Sequence, residues 1–200
     1  TPPWARRDGE RRPGVPTVAF TVTENVPSGR YDRLGSNRQN GVGSGIASTA
    51  LALNTQTYFW MPNGRILRLR ANFSWSFPNG RTKVHGVSVY GTERGFRGRV
   101  GTGRNQQLDL GLEYSLSSRW VLAADLLYSH TGGNRLHGSY AGRRPAWSRY
   151  DGSSQYVDIA PAVEYNFSRR IGVIGGVQLT AHGRNTTREV IPQFAVNIVL

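Results

Sequence analysis

Hydrophobic and polar residues alternate with a period of two along most of this chain, the pattern of a strand that presents different chemistry on its two sides. From Ile66 onward, Leu67, Leu69, Ala71, Phe73, Trp75 and Phe77 take one face, and Arg68, Arg70, Asn72, Ser74 and Ser76 take the other. Leu108, Leu110, Leu112, Tyr114 and Leu116 oppose Asp109, Gly111, Glu113 and Ser115 in the same way. Val157, Ile159, Pro161, Val163, Tyr165 and Phe167 oppose Asp158, Ala160, Ala162, Glu164 and Asn166. Near the end, Phe194, Val196, Ile198 and Leu200 oppose Gln193, Ala195, Asn197 and Val199. Weaker versions run over Val18–Val22 and Trp120–Tyr128, and strands around Ala47–Met61 and Ile171–Ala181 complete the set. The pattern predicts about eight strands of roughly ten residues, the length that crosses a bilayer when tilted.

The connections alternate between short and long. Pro62-Asn63-Gly64, Ser117-Ser118-Arg119 and Ser168-Arg169-Arg170 are tight, whereas Asn25–Gly43, Pro78–Gly103 and Thr131–Ser154 are long and His182–Glu189 is intermediate. Outer-membrane barrels show this alternation, with short periplasmic turns and longer outer loops. Parity requires Val84–Tyr90 to be a hairpin or cap inside an outer loop, not a ninth crossing strand. Both chain ends then fall on the periplasmic side.

A soluble antiparallel sandwich would alternate too, with its polar face in water. Two features favour lipid. Aromatic residues gather near the tight turns, and the interface set is Tyr58, Trp60, Trp75, Tyr114, Trp120, Tyr165 and Phe167. The faces opposite the apolar ones carry ionisable groups in mid-strand, and Arg68 and Arg70 with Asp109, Glu113, Asp125, Asp158 and Glu164 form a candidate lumenal charge ladder. Such groups pair across a lumen, either as a structural brace or as a charged constriction that selects permeants. Lumenal Asn72, Asn166, Gln178 and Asn197 extend either version. A closed barrel is the only sheet whose backbone groups are all satisfied in lipid. The expected fold is therefore all-β, an antiparallel up-and-down transmembrane β-barrel over residues 15–200. Residues 1–14 form a linker or the remnant of an upstream strand region.

Composition agrees with strands and turns more than with helices: 25 of 200 residues are glycine and 38% are hydrophobic. No stretch approaches a spanning helix. Thr1 opens on Pro2, Pro3 and Trp4, which reads as a mature or truncated start. The absence of cysteine excludes disulfides, thiol nucleophiles and Cys-based zinc sites. The net charge of +13 points to anionic partners. Most of the excess falls in the predicted outer loops, with Arg94, Arg97, Arg99, Arg143 and Arg144 among them, a basic rim suited to lipopolysaccharide phosphates.

Several strings together resemble a known family. They are VPTVAFTVTENVPSGRYDRLGSNRQNGVGSG (Val15–Gly45), QTYFWMPNGRILRLRANFSWSF (Gln56–Phe77), GVSVYGTERGFRG (Gly86–Gly98), EYSLSSRWVLAADLLY (Glu113–Tyr128) and DIAPAVEYNFSRRIGVIGGVQLTAHGRNT (Asp158–Thr186). They resemble the outer-membrane MetA-pathway phenol-degradation family, whose members are described as transporters. The resemblance implies passage of small hydrophobic or aromatic compounds across the bacterial outer membrane. It also implies extra strands upstream of a stretch like Arg6–Pro16, and so a barrel of about twelve strands, wide enough for a lumen. Leu200 departs from the terminal aromatic that barrel-assembly machinery usually reads.

Enzymatic motifs are missing. His85, His130, His137 and His182 sit in or beside outer loops without metal spacing, and Ser129 and His130, being adjacent, point to opposite faces of a strand. Gly41-Val42-Gly43-Ser44-Gly45 has no lysine after it and precedes a strand, so it is not a phosphate loop. Arg94, Arg97 and Arg99 around Phe96 resemble a single-strand nucleic-acid binder, but the basic residues are divided among several loops. The expectation is a passive outer-membrane transporter or channel without catalytic residues, metal or cofactor. Its partners are outer-membrane lipid and lipopolysaccharide, a small hydrophobic or aromatic permeant and the assembly machinery, and not nucleic acid. The rival readings are a structural or polyanion-binding outer-membrane barrel without a pore, and a soluble lipocalin-like binder.

Overall fold

A computed structural model describes residues 13–141, 146–168 and 170–198 of the chain. It is all-β, with two antiparallel sheets and one short 3-10 turn at Arg38–Asn40. The larger sheet holds eight strands: β1 (Thr17–Asn25), β2 (Ser48–Trp60), β3 (Ile66–Pro78), β6 (Asn105–Ser115), β7 (Trp120–Thr131), β10 (Ser154–Asn166), β11 (Ile171–Arg184) and β12 (Val190–Ile198). They lie in chain order, each antiparallel to the next, which is an up-and-down topology. The smaller sheet is formed by β4 (Thr82–His85), β5 (Phe96–Gly101), β8 (Asn134–Tyr140) and β9 (Trp147–Asp151), in that order.

The tight turns have local causes. Gly64 takes φ 73°, a left-handed value that suits glycine. The Asn63 side chain beside it accepts the Arg65 amide at 3.1 Å. At the next turn Ser117 Oγ accepts the amides of Arg119 and Trp120 at 3.1 and 3.0 Å. Ser168 Oγ repeats the device with Arg170 and Ile171, both at 3.1 Å.

The small sheet grows out of two long connections, β4–β5 between β3 and β6, and β8–β9 between β7 and β10. It leaves the main sheet where glycine lets backbones meet. A Cβ on Gly103 would lie 2.3 Å from the Gly132 carbonyl carbon, and one on Gly133 would lie 1.8 Å from the Asp151 carbonyl oxygen. The expected excursion near Val84–Tyr90 is thus part of a cap, in which β4 and β5 form a hairpin inside the long connection. β4 ends at His85 and pairs with β5, because Gly86, Gly91 and Gly95 all take left-handed φ and turn the intervening chain.

The small sheet, its β4–β5 connection and the segment before β2 hold all the buried hydrophobic side chains among the described residues: Leu34, Ile46, Val84, Tyr90, Phe96, Val100 and Leu136. Phe96 meets Tyr140 and Trp147 edge-on at 5.2 and 5.6 Å between centroids. Tyr31 ties the first long loop down through its hydroxyl, 2.8 Å from Thr82 Oγ1.

The main sheet is built the other way round. In β7 the side chains of Trp120, Leu122, Leu126 and Tyr128 are exposed, and Val121, Ala123, Asp125 and Ser129 between them are half-buried. Leu110 is 41% exposed and Ile159 44%, whereas Asp158 is 5% exposed. Its outermost strands, β1 and β12, each pair on one side only among the described residues, so the sheet is open and eight strands wide.

Candidate functional site

Strand register converts the shared polar face into particular neighbours. Arg68 lies opposite Glu113, Arg70 opposite Gly111, and Gly111 opposite Asp125 on β7. Arg68 Nη1 pairs with Glu113 Oε2 at 3.0 Å. Arg70 Nη2 reaches Glu113 Oε1 at 3.4 Å and Asp125 Oδ1 at 3.2 Å, crossing one strand to touch the second. Gly111 makes that crossing possible: a Cβ there would stand 2.6 Å from Asp125 Oδ1 and 2.9 Å from Arg70 Nε. This glycine, absent from the sequence-derived site, is the space the ladder occupies. Its signal was a glycine within an otherwise regular alternation.

The remaining expected members do not join the same ladder. Asp109 accepts from Asn72 Nδ2 at 3.3 Å. Asp158 accepts from Gln178 Nε2 at 2.6 Å, and Gln178 Oε1 accepts from Gln193 at 2.8 Å, which extends a second network, without a cation, to the last strand. Asp158 and Glu164 stand on β10, three strands from β3. At about 4.8 Å per strand that distance exceeds an arginine's reach. Glu164 has no ion-pair partner among the described residues; Gly172, opposite Asn166 on the neighbouring strand, leaves room beside the Glu164 carboxylate and Asn166. Among the described residues the polar face sets two guanidinium groups against five carboxylates.

The aromatic residues divide by phase. Trp120 and Tyr165 pack at 4.6 Å and Tyr165 and Phe167 at 4.9 Å between centroids, beside the turns. Tyr114, on the apolar face opposite Leu67, accepts through its hydroxyl from Asn63 at 2.8 Å. Tyr58 and Trp60 were expected among the interface aromatics, but Tyr58 lies opposite Arg68 and Trp60 shares its phase, so both belong to the polar face. Phe59, opposite Leu67, takes the apolar position. Trp75 stands at the far end of β3, with the Arg104 guanidinium 5.6 Å over its ring.

At that far end a cavity of about 310 Å³ opens between the cap and the rim of the polar face, with Asn25, Ser48, Ser76, Asn105, Thr131 and Asn134 in its wall. Its lining mixes hydroxyl and amide groups with Ile46 and Pro78 and carries no charged side chain. Of the expected basic loop residues, Arg94 is exposed in the turn before β5, and Arg97 and Arg99 are exposed on β5. Arg143 and Arg144 lie outside the described residues. No group of three metal-ligating side chains occurs among the described residues, and Ser129 and His130 project to opposite faces. No family model matches the chain, and no curated protein matches it.

Proposed function

We propose that this chain forms the wall of a bacterial outer-membrane β-barrel through which small solutes pass passively. The observation that carries the reading is the reversed burial of the main sheet. Leu110, Leu112, Leu122, Leu126, Ile159 and Val163 are exposed on contiguous strands. The carboxylates behind them are covered to different degrees: Asp158 is 5% exposed and the Glu113 side chain 18%, with Asp125 at 39%. A contiguous exposed apolar surface marks an interaction site, and across adjacent strands it is what a barrel offers to hydrocarbon. Strands of nine to fourteen residues span the bilayer at ordinary tilt.

The polar face is then the lumen. The Arg68–Glu113–Arg70–Asp125 ladder is its fixed constriction and the neutral cavity beneath the cap its outer vestibule. The sequence resemblance supplies the solute class, small hydrophobic or aromatic compounds. Tyr58, Leu127 and Ile174, in phase with the polar residues, give such compounds apolar surface along the way.

Two measurements test the reading. Leu110→Arg in protein folded into lipid vesicles is expected to cost about 2–4 kcal/mol, the mid-bilayer penalty. A loss below about 0.5 kcal/mol, ordinary for a water-exposed position, places this face in water and rejects the membrane. For passage, planar-bilayer conductance is expected to favour cations, because carboxylates outnumber guanidinium groups on the polar face, and to favour them more after Arg70→Met. Inserted protein that conducts nothing rejects the channel.

A further inference from the structure

The cap carries a second charged feature that the ladder does not use. Because Val84, Phe96, Val100 and Leu136 point into the core, alternation turns Lys83, Arg97, Arg99 and Arg135 to the opposite face, and all four are exposed. Register places Lys83 directly opposite Arg99 and Arg99 opposite His137, with Arg97 between His85 and Ser139. Like charges facing each other across a ladder destabilise it. None of the four has an ion-pair partner among the described residues. The carboxylate near this face, Asp32, is held by the ring and backbone nitrogens of His85 at 3.2 and 3.0 Å. On the other side of the same sheet Arg149 is paired with Asp151 at 2.7 Å. The cations of the outer face are therefore left without counter-charge.

Their spacing limits what could fit. Neighbouring strands are about 4.8 Å apart and alternate residues on one strand about 7 Å, so the four cations, with Arg135 in register with Gly101, occupy a patch about 14 Å long. Cations spread over that length suit a ligand that carries more than one phosphate group. The Arg135 guanidinium lies 5.5 Å over the Tyr150 ring, which holds one cation in place before any ligand arrives. Guanidinium groups bind phosphate through paired, charge-assisted hydrogen bonds.

We propose that the outer face of the cap sheet binds the phosphorylated sugars of lipopolysaccharide through Lys83, Arg97, Arg99 and Arg135. The site rests on the outer-membrane reading, which puts the long-loop side of the sheet among those sugars. The test uses the full chain folded in detergent micelles. The probes are lipopolysaccharide, the same material after phosphate removal, and a single-stranded oligonucleotide. Binding of the intact probe is expected to weaken with added salt. It is expected to fall about tenfold or more in R97E/R99E, the scale of losing one charge-assisted contact. The milder Arg97→Gln should give a smaller loss with the cap's aromatic circular dichroism unchanged, and Arg119→Glu, at the opposite rim, should give none. Equal binding by R97E/R99E, equal binding of the dephosphorylated probe, or tighter binding of the oligonucleotide would each overturn the assignment. Leu110→Arg tests the membrane separately, so a protein that passes there and fails here loses only this site.

Discussion

Arg70 joins three strands with one side chain, since it stands on β3 and touches Glu113 on β6 and Asp125 on β7. Its removal leaves Glu113 with Arg68 but strips Asp125 of its cation. Arg70→Met is expected to lower stability by about 1–3 kcal/mol, the cost of orphaning a charged hydrogen-bonded group. Arg68→Met, at a more exposed position, should cost less than about 1 kcal/mol. Urea unfolding from lipid vesicles measures both, and equal losses would mean that the second contact of Arg70 contributes nothing. Gly111→Val should approach the Arg70→Met loss with every charge still present, because the new side chain takes the guanidinium's place. Arg70 and Glu113 were legible as members of one face, since alternation is written in the chain. The role of Gly111 was not, because alternation says which face a residue takes and nothing about what reaches over it from the next strand.

The cap is an element with a hydrophobic core of its own, and Tyr90 reports on it. The phenol is buried beside Ile46 and its hydroxyl donates to the Ser44 carbonyl oxygen. Burial pushes its pKa from the ordinary 10 up to about 12. A folded pKa above the unfolded one means that the neutral phenol stabilises the cap fully below about pH 10, and that this contribution disappears as pH rises through about 12. Alkaline titration by phenolate absorbance is expected to show one late tyrosine, absent in Tyr90→Phe, with the cap's near-ultraviolet circular dichroism fading over the same interval. A dichroism signal that is flat from pH 10 to 12 contradicts the account. The cap strands were poorly legible for a physical reason. They run only four to seven residues, and the pairing that joins the two hairpins, β5 with β8, connects separate long loops. No local period records such a meeting.

At the scale of the whole molecule, β1 and β12 are the exposed edges of the main sheet, with Phe20, Val22, Phe194 and Ile198 all outward. In lipid each unpaired backbone group costs several kcal/mol, so edges do not persist there. The membrane reading therefore requires both edges to be paired in the inserted protein. Backbone amides of β1 and β12 are expected to exchange with deuterium as slowly as those of β6 and β7 when the protein is in vesicles. Rapid exchange confined to the two edge strands would show an open sheet and reject a closed barrel.

The number of long strands, their faces and the tight turns at Gly64, Ser117 and Ser168 were determined by the sequence alone, since each depends on neighbours one to three positions away. Only the tertiary structure decided which face of each strand is covered. A period of two has no sign, and a strand in a soluble sandwich alternates as a barrel strand does, so Leu110 and Glu113 had to be placed in three dimensions before outward leucine could be told from inward leucine. The tertiary structure also decided which charges meet. Arg70 finds Asp125 and leaves Asp158 to Gln178, because reach is measured across strands and the sequence measures only along them.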